Sequence, residues 1–133
     1  MIILAISVML VSGATMPSAY AQNDVCQAID GAMLINKDDE YIGKLAISTD
    51  PDSVFNEYGK YGNEYNSWSI WNEYGKNGGE YQSGSAFNDY SSDPPRIVKN
   101  GSVIGFLTTN KFKRGAVNPI VVGVVCYEFK PPR

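Results

Sequence analysis

The sequence predicts a mainly β fold: a small antiparallel sheet of hairpins carrying an irregular aromatic- and glycine-rich repeat segment with short helical turns. Three observations predict it. Two apolar segments with polar turns at their centres, 32–47 and 96–110, bracket the middle of the chain. That middle repeats itself at a fixed period, which sets Ser53 against Ser69 and Ser69 against Ser85. The two cysteines, Cys26 and Cys126, stand one near each end.

Between Met1 and Ala21 there is no charged side chain. Ile2 to Val11 is apolar apart from Ser7, Ser12 to Ser18 is small and turn-prone, and Ala19-Tyr20-Ala21 fits the small-x-small rule for cleavage. An apolar run this short does not reach the ~20 residues needed to span a bilayer. Residues 1–21 therefore read as a secretory signal, although no Lys or Arg precedes the apolar run. Cleavage leaves 22–133 as a single mature domain, secreted or periplasmic and not transmembrane. An oxidising compartment favours joining Cys26 to Cys126. With no CxxC pair and no histidine, no metal and no cofactor are expected.

In the first hairpin, Lys37-Asp38-Asp39-Glu40 is the turn between Ile35 and Tyr41-Ile42. In the second, Asn100-Gly101 is a strong two-residue hairpin signal. Gly43 and Gly105 occupy matching places and mark a bulge or a close backbone approach. Ile120 to Phe129, nearly all apolar and β-branched, reads as a third, central strand segment over 119–129, ended by Pro131-Pro132.

Between the hairpins, Ser53-Val54-Phe55-Asn56-Glu57-Tyr58-Gly59-Lys60 returns as Ser69-Ile70-Trp71-Asn72-Glu73-Tyr74-Gly75-Lys76, and a truncated copy begins at Ser85. Serine is a good N-cap and the later glycine, Gly59 or Gly75, is a good helix stop, so each unit reads as a short helical turn followed by a loop. Helices this short are unstable alone. The reading buries Phe55, Trp71 and Phe87, and leaves Tyr58, Tyr74 and Tyr90 partly buried with hydroxyls near water. Asp93-Pro94-Pro95 forces an extended return into the second hairpin.

The order of an Ile-Gly-x-Leu-like hairpin, Ser-x-x-Asn-x-Tyr-Gly units, Asp-Pro-Pro and a second Ile-Gly-x-Leu hairpin resembles a group of uncharacterised bacterial exported proteins. The resemblance covers about residues 40–110. It implies a bacterial origin and export, and it implies no catalytic residues. This chain departs from the pattern at Asn77, which stands where the preceding repeat has Tyr61.

Charge is uneven along the chain. Residues 50–93 hold eight acids and two bases, whereas 94–133 hold one acid and seven bases. Two readings follow: the segments attract each other across the domain, or Lys111, Lys113 and Arg114 form an exposed basic patch for anionic lipid, lipopolysaccharide or an acidic protein. An acidic, exported domain without a nucleic-acid module signature excludes nucleic acid as a partner.

The absence of histidine removes Ser–His–Asp and Cys–His chemistry, and the glycines lack the Lys-Ser/Thr of a phosphate loop. Glu57, Glu64, Glu73 and Glu80 invite a glycosidase reading, but solvated glutamates in Gly-Tyr loops lack the raised pKa a general acid needs. Calcium suits the oxygen donors, but no Asp-x-Asp-x-Asp-Gly loop exists. The chain therefore reads as no enzyme. Trp68, Trp71, Tyr58, Tyr61 and Tyr74, with Tyr65 and Tyr81, offer aromatic faces for an envelope glycan or a protein partner. Trp68 is expected to be the most open, because Gly84 takes its place one repeat later. The reading is an exported non-catalytic binding module. The alternatives are a structural or stress-related periplasmic protein without a small ligand, and an inhibitor of a secreted hydrolase.

Overall fold

The computed structural model describes residues 18–133, with side chains described from Asp24 onward. Most of the expected signal thus lies outside the described residues. Helix α1 (Ser18–Ile29) ends at Gly31, whose φ of 82° suits a residue without Cβ. Strands β1 (Met33–Ile35), β2 (Tyr41–Lys44), β3 (Arg96–Lys99), β4 (Ser102–Leu107) and β5 (Ala116–Val117) follow, then helix α2 (Pro119–Tyr127). They form one sheet in the order β2-β1-β3-β4-β5. The fold is mainly β, as the sequence predicts.

Both hairpins form where expected. Asn100 and Gly101 have φ of 53° and 80°, the double positive φ of a type I′ turn. Gly43, at φ 109°, lies at a register shift between β1 and β2; a Cβ there would stand 2.8 Å from Cβ of Tyr61. At Gly105 a Cβ would stand 2.9 Å from the Gly115 carbonyl, which receives the Phe106 N–H. The sheet is mixed rather than purely antiparallel, because the chain after β4 loops round and β5 returns parallel to it.

Residues 119–129 correct the sequence reading: 119–127 form a helix, ended by Glu128 at φ 52°, and not a central strand. Asn118 caps it, its Oδ1 accepting the N–H groups of Ile120 (2.9 Å) and Val121 (3.2 Å), with Pro119 in the first turn. Propensity of β-branched residues is a weak prior against a good cap and tertiary packing. Val122 and Gly123 face the core, and a Cβ on Gly123 would stand 3.1 Å from Phe55 Cε1. The Cys26–Cys126 disulfide joins α1 to α2 across a sequence separation of 100 residues. A loop of that length corresponds to about 4.7 kcal/mol in the chain-entropy account.

The repeat segment contains no helix. It is a coil of overlapping β-turns. The N–H of Asn56 donates to Ser53 O, Gly59 to Asn56, Asn63 to Gly59, Asn66 to Asn63 and Ser69 to Asn66. These five linked turns make one circuit, and they account for the spacing from Ser53 to Ser69. The same steps carry the chain from Ser69 to Ser85. At the first two corners of each level a side chain accepts a backbone N–H just ahead of it: Ser53, Ser69 and Ser85 from Phe55, Trp71 and Phe87, and Asn56, Asn72 and Asn88 from Tyr58, Tyr74 and Tyr90. Such Asx and Ser turns compete with helix propagation, which is why the expected helical turns do not form.

Three levels of this coil stack. The rings of Phe55, Trp71 and Phe87 form an inner column with centroids 6.4 and 5.4 Å apart, and Trp71 Nε1 donates to Val54 O at 2.6 Å. The first level meets β2: Val54 N–H donates to Lys44 O and Lys44 N–H to Asp52 O, each at 3.0 Å. The third meets the chain beyond β4, Thr109 N–H donating to Ala86 O at 2.8 Å. On the second level, buried Asn77 accepts from Asn36 Nδ2 at 3.1 Å and donates to Trp68 O at 3.1 Å. After α2 the tail crosses the column. Phe129 lies 5.4 Å from Phe55 and 5.0 Å from Trp71, and the Arg133 guanidinium 4.1 Å from the Phe87 ring.

The coil is wound too tightly for side chains at Gly62 and Gly78: a Cβ would strike the Asn56 carbonyl at the first and the Ile70 and Asn72 carbonyls at the second. Neither obstacle is a movable side chain. Gly62→Ala and Gly78→Ala should each cost about 3 kcal/mol or more in denaturant unfolding, the upper end of overpacking. Exposed Ser67→Ala should stay within about 0.5 kcal/mol of the parent.

Candidate tyrosine ladder

Each level turns tyrosines outward. Tyr58, Tyr74 and Tyr90 occupy one corner position and Tyr65 and Tyr81 a second, all between 84 and 89% exposed. Tyr58, Tyr74 and Tyr90 are not partly buried as the sequence reading has them. The ring at the Phe55 position fills the inside, so the tyrosine beyond the next asparagine corner points away from the column. An acid precedes each of them in sequence: Glu57, Glu64, Glu73 and Glu80, and Asp89 before Tyr90. The adjacent glutamates Glu57, Glu73 and Glu80 stand beside the hydroxyls of Tyr58, Tyr74 and Tyr81. Interaction with the neighbouring glutamate, first through its acceptor oxygens and then through its negative charge, raises their ionisation above the ordinary tyrosine range.

Two grooves lie between these columns, one per level. The first is lined by Glu57, Tyr58, Glu64 and Tyr65 with Lys130 of the tail, and has a volume of about 300 Å³. The second is lined by Glu73, Tyr74, Glu80 and Tyr81 with Arg133, and has a volume of about 490 Å³. Each tyrosine and glutamate of the second wall is the first's counterpart one repeat on, so the site is a repeated surface rather than a single cavity. The tail supplies one cation to each. Burial against Phe87 lowers the Arg133 pKa, while Glu73 and Glu80 act in the opposite direction.

The sequence-predicted residues divide. Tyr58 and Tyr74 are on the ladder. Trp71 is 1% exposed and belongs to the core, so it offers no face to a ligand. Tyr61 is half-buried, its ring edge-on to Tyr41 at 5.4 Å. Trp68, expected to be the most open, is half-buried, with the amines of Lys60 and Lys76 each 5.4 Å from its ring. Where Gly84 replaces it, the stem of Lys37 fills the space. Lys111 and Arg114 are exposed; Lys113 is half-buried, donating to Ser92 O at 3.0 Å.

The expected attraction between the acidic repeat and the basic C-terminal third takes another form. Among the described residues no ion pair joins them. Lys76 of the coil pairs with Asp38 (3.5 Å) and Glu40 (2.6 Å), and Arg96 pairs with Asp39, all in the β1–β2 turn. What sequence reasoning missed is the outward position of Tyr90 and the tail cations in the grooves. The repeat period carried the signal for Tyr90; nothing local carried it for Lys130 and Arg133.

Among the described residues no group of His, Cys, Asp or Glu is arranged to hold a metal ion, and no helix is long and apolar enough to cross a membrane. No protein-family model matches the chain, and no curated protein or solved structure matches it either.

Removing the carboxylate beside a ladder tyrosine should ease that tyrosine's ionisation. In a spectrophotometric alkaline titration, Glu73→Gln should move one tyrosine to a lower ionisation pH without altering the thermal midpoint. An unchanged titration curve would show that Tyr74 and Glu73 do not interact.

Proposed function

We propose that the chain is an exported, non-catalytic binding module that holds an extended envelope glycan along its tyrosine ladder. The observation that carries this reading is the recurrence of one groove composition, two tyrosines and two glutamates, at the same place on successive levels. A repeated surface suits a repeated ligand. Tyrosine offers a flat apolar face with little rotamer entropy to lose, and the glutamates accept sugar hydroxyls.

Several features support a binding role without catalysis. Glu57, Glu73 and Glu80 are exposed beside tyrosines on an open surface rather than set in a desolvating pocket. A carboxyl kept as a general acid needs the opposite environment. Export is supported by the disulfide and by the signal-like residues 1–21.

The test is calorimetric titration of the chain recovered from an exporting cell with soluble, linear peptidoglycan-derived glycan strands. Binding is expected, and Tyr74→Ala/Tyr81→Ala should weaken it at least about tenfold, the scale of aromatic hot spots. Both positions are exposed, so circular dichroism should be unchanged. Equal affinity of parent and double variant would overturn the proposal.

A further inference from the structure

The loop after β4 repeats the corner of the coil with its charge inverted. Asn110-Lys111-Phe112-Lys113 stands in the pattern of Asn56-Glu57-Tyr58-Gly59, Asn72-Glu73-Tyr74-Gly75 and Asn88-Asp89-Tyr90-Ser91. The correspondence is geometric as well. Asn110 Oδ1 accepts the Phe112 N–H at 3.1 Å, as each of these coil asparagines accepts from its tyrosine, and Lys113 N–H donates to Asn110 O at 3.1 Å, as Gly59 does to Asn56.

This fourth corner rests on the third level. Asn110 Nδ2 donates to Ser91 O at 2.9 Å, and Thr109 Oγ1 donates to Asp89 Oδ1 at 2.6 Å. Two chemical changes distinguish it from the ladder. The outward ring is Phe112, 82% exposed and without a hydroxyl. The residue before it is a lysine, and Lys113 and Arg114 follow it.

We infer that residues 110–115 dock on an anionic lipid surface. Four observations carry this. Phe112 is a large apolar ring at a loop tip, with nothing apolar in the protein covering it. Lys111 and Arg114 are exposed. Among the described residues no carboxylate lies in ion-pair contact with Lys111, Lys113 or Arg114. The tip is already held in shape by the Asn110 and Thr109 bonds and by Lys113, which donates to Ser92 O and lies 4.5 Å from the Phe106 ring. Little ordering is therefore left to be done on contact. A ring that enters the interface, ringed by cations that meet anionic headgroups, is the chemistry of interfacial anchoring. A soluble acidic protein would use the cations but would leave the ring without a role.

The experiment is flotation of the chain recovered from the exporting cell with vesicles of phosphatidylcholine alone or mixed with phosphatidylglycerol. Binding should require phosphatidylglycerol and fall with added salt. Each basic residue near an anionic surface contributes about fivefold in affinity, so Lys111→Glu/Arg114→Glu should weaken binding by at least about 25-fold. Phe112→Ser should weaken it by about fivefold or more, with the thermal midpoint unchanged in both variants. No binding to the mixed vesicles, or binding that these variants leave intact, would overturn the inference. Binding that soluble heparin competes away and that Phe112→Ser does not alter would also overturn it, by showing a general polyanion site.

Discussion

A coil that is neither helix nor sheet still has to satisfy its buried amides and carbonyls, and in this protein the corner side chains do so. Asn56, Asn72 and Asn88 each accept one N–H from the tyrosine ahead. They also donate to a carbonyl behind: Asp50, Asn66 and Gln82 at 3.1, 3.2 and 3.0 Å. One side chain thus ties consecutive turns together. Ser53, Ser69 and Ser85 accept N–H groups at the inner corners, Ser53 also donating to Ala46 O at 2.6 Å, and none of the buried side-chain polar atoms described lacks a partner. The aromatic column can stack only because these corners bring the chain back to the same place once per repeat.

The rest of the molecule closes what the corners build. The coil presents an unsatisfied edge at each end, covered by Lys44 of β2 at the first level and by Thr109, just beyond β4, at the last. The aromatic column would face water on one side, and α2 and the tail cover it: Tyr127 stacks on Phe55 at 4.7 Å and Phe129 bridges to Trp71. The disulfide holds α2 against α1, so the two ends of the described chain are tied over the same core. Division of the repeat's aromatics follows from this plan. One ring per level is consumed by the column, and the ladder tyrosines are left to the outside.

Much of this is legible in the sequence, and what is not has identifiable causes. Asn100-Gly101 announces its hairpin because few other dipeptides accept positive φ twice. Phe55, Trp71 and Phe87 announce the column by recurring at one place in the period. The strand reading of 119–129 fails because a run of valines and isoleucines has no periodicity to separate a buried strand from a short helix; Asn118-Pro119 is the stronger signal. The helical turns fail because Ser and Asn favour capping a single turn as readily as starting a helix. Trp68 loses its openness to Lys60 and Lys76, one level apart, whose meeting over one ring depends on the stacking of levels. The fourth corner at Asn110 escapes notice because it lies outside the register of the repeat and is brought beside the third level only by the sheet.

The functional reading rests on the same geometry, since a ladder of tyrosines keeps its pitch only if the corners keep theirs. The most direct measurement is the unfolding free energy of Asn72→Ala. This variant deletes the acceptor for the Tyr74 N–H and the donor to Asn66 O while leaving every aromatic ring in place. Two lost hydrogen bonds, one exposed and one part-buried, predict a loss of about 1–2 kcal/mol. A loss below about 0.5 kcal/mol, the range of ordinary surface substitutions, would contradict the account.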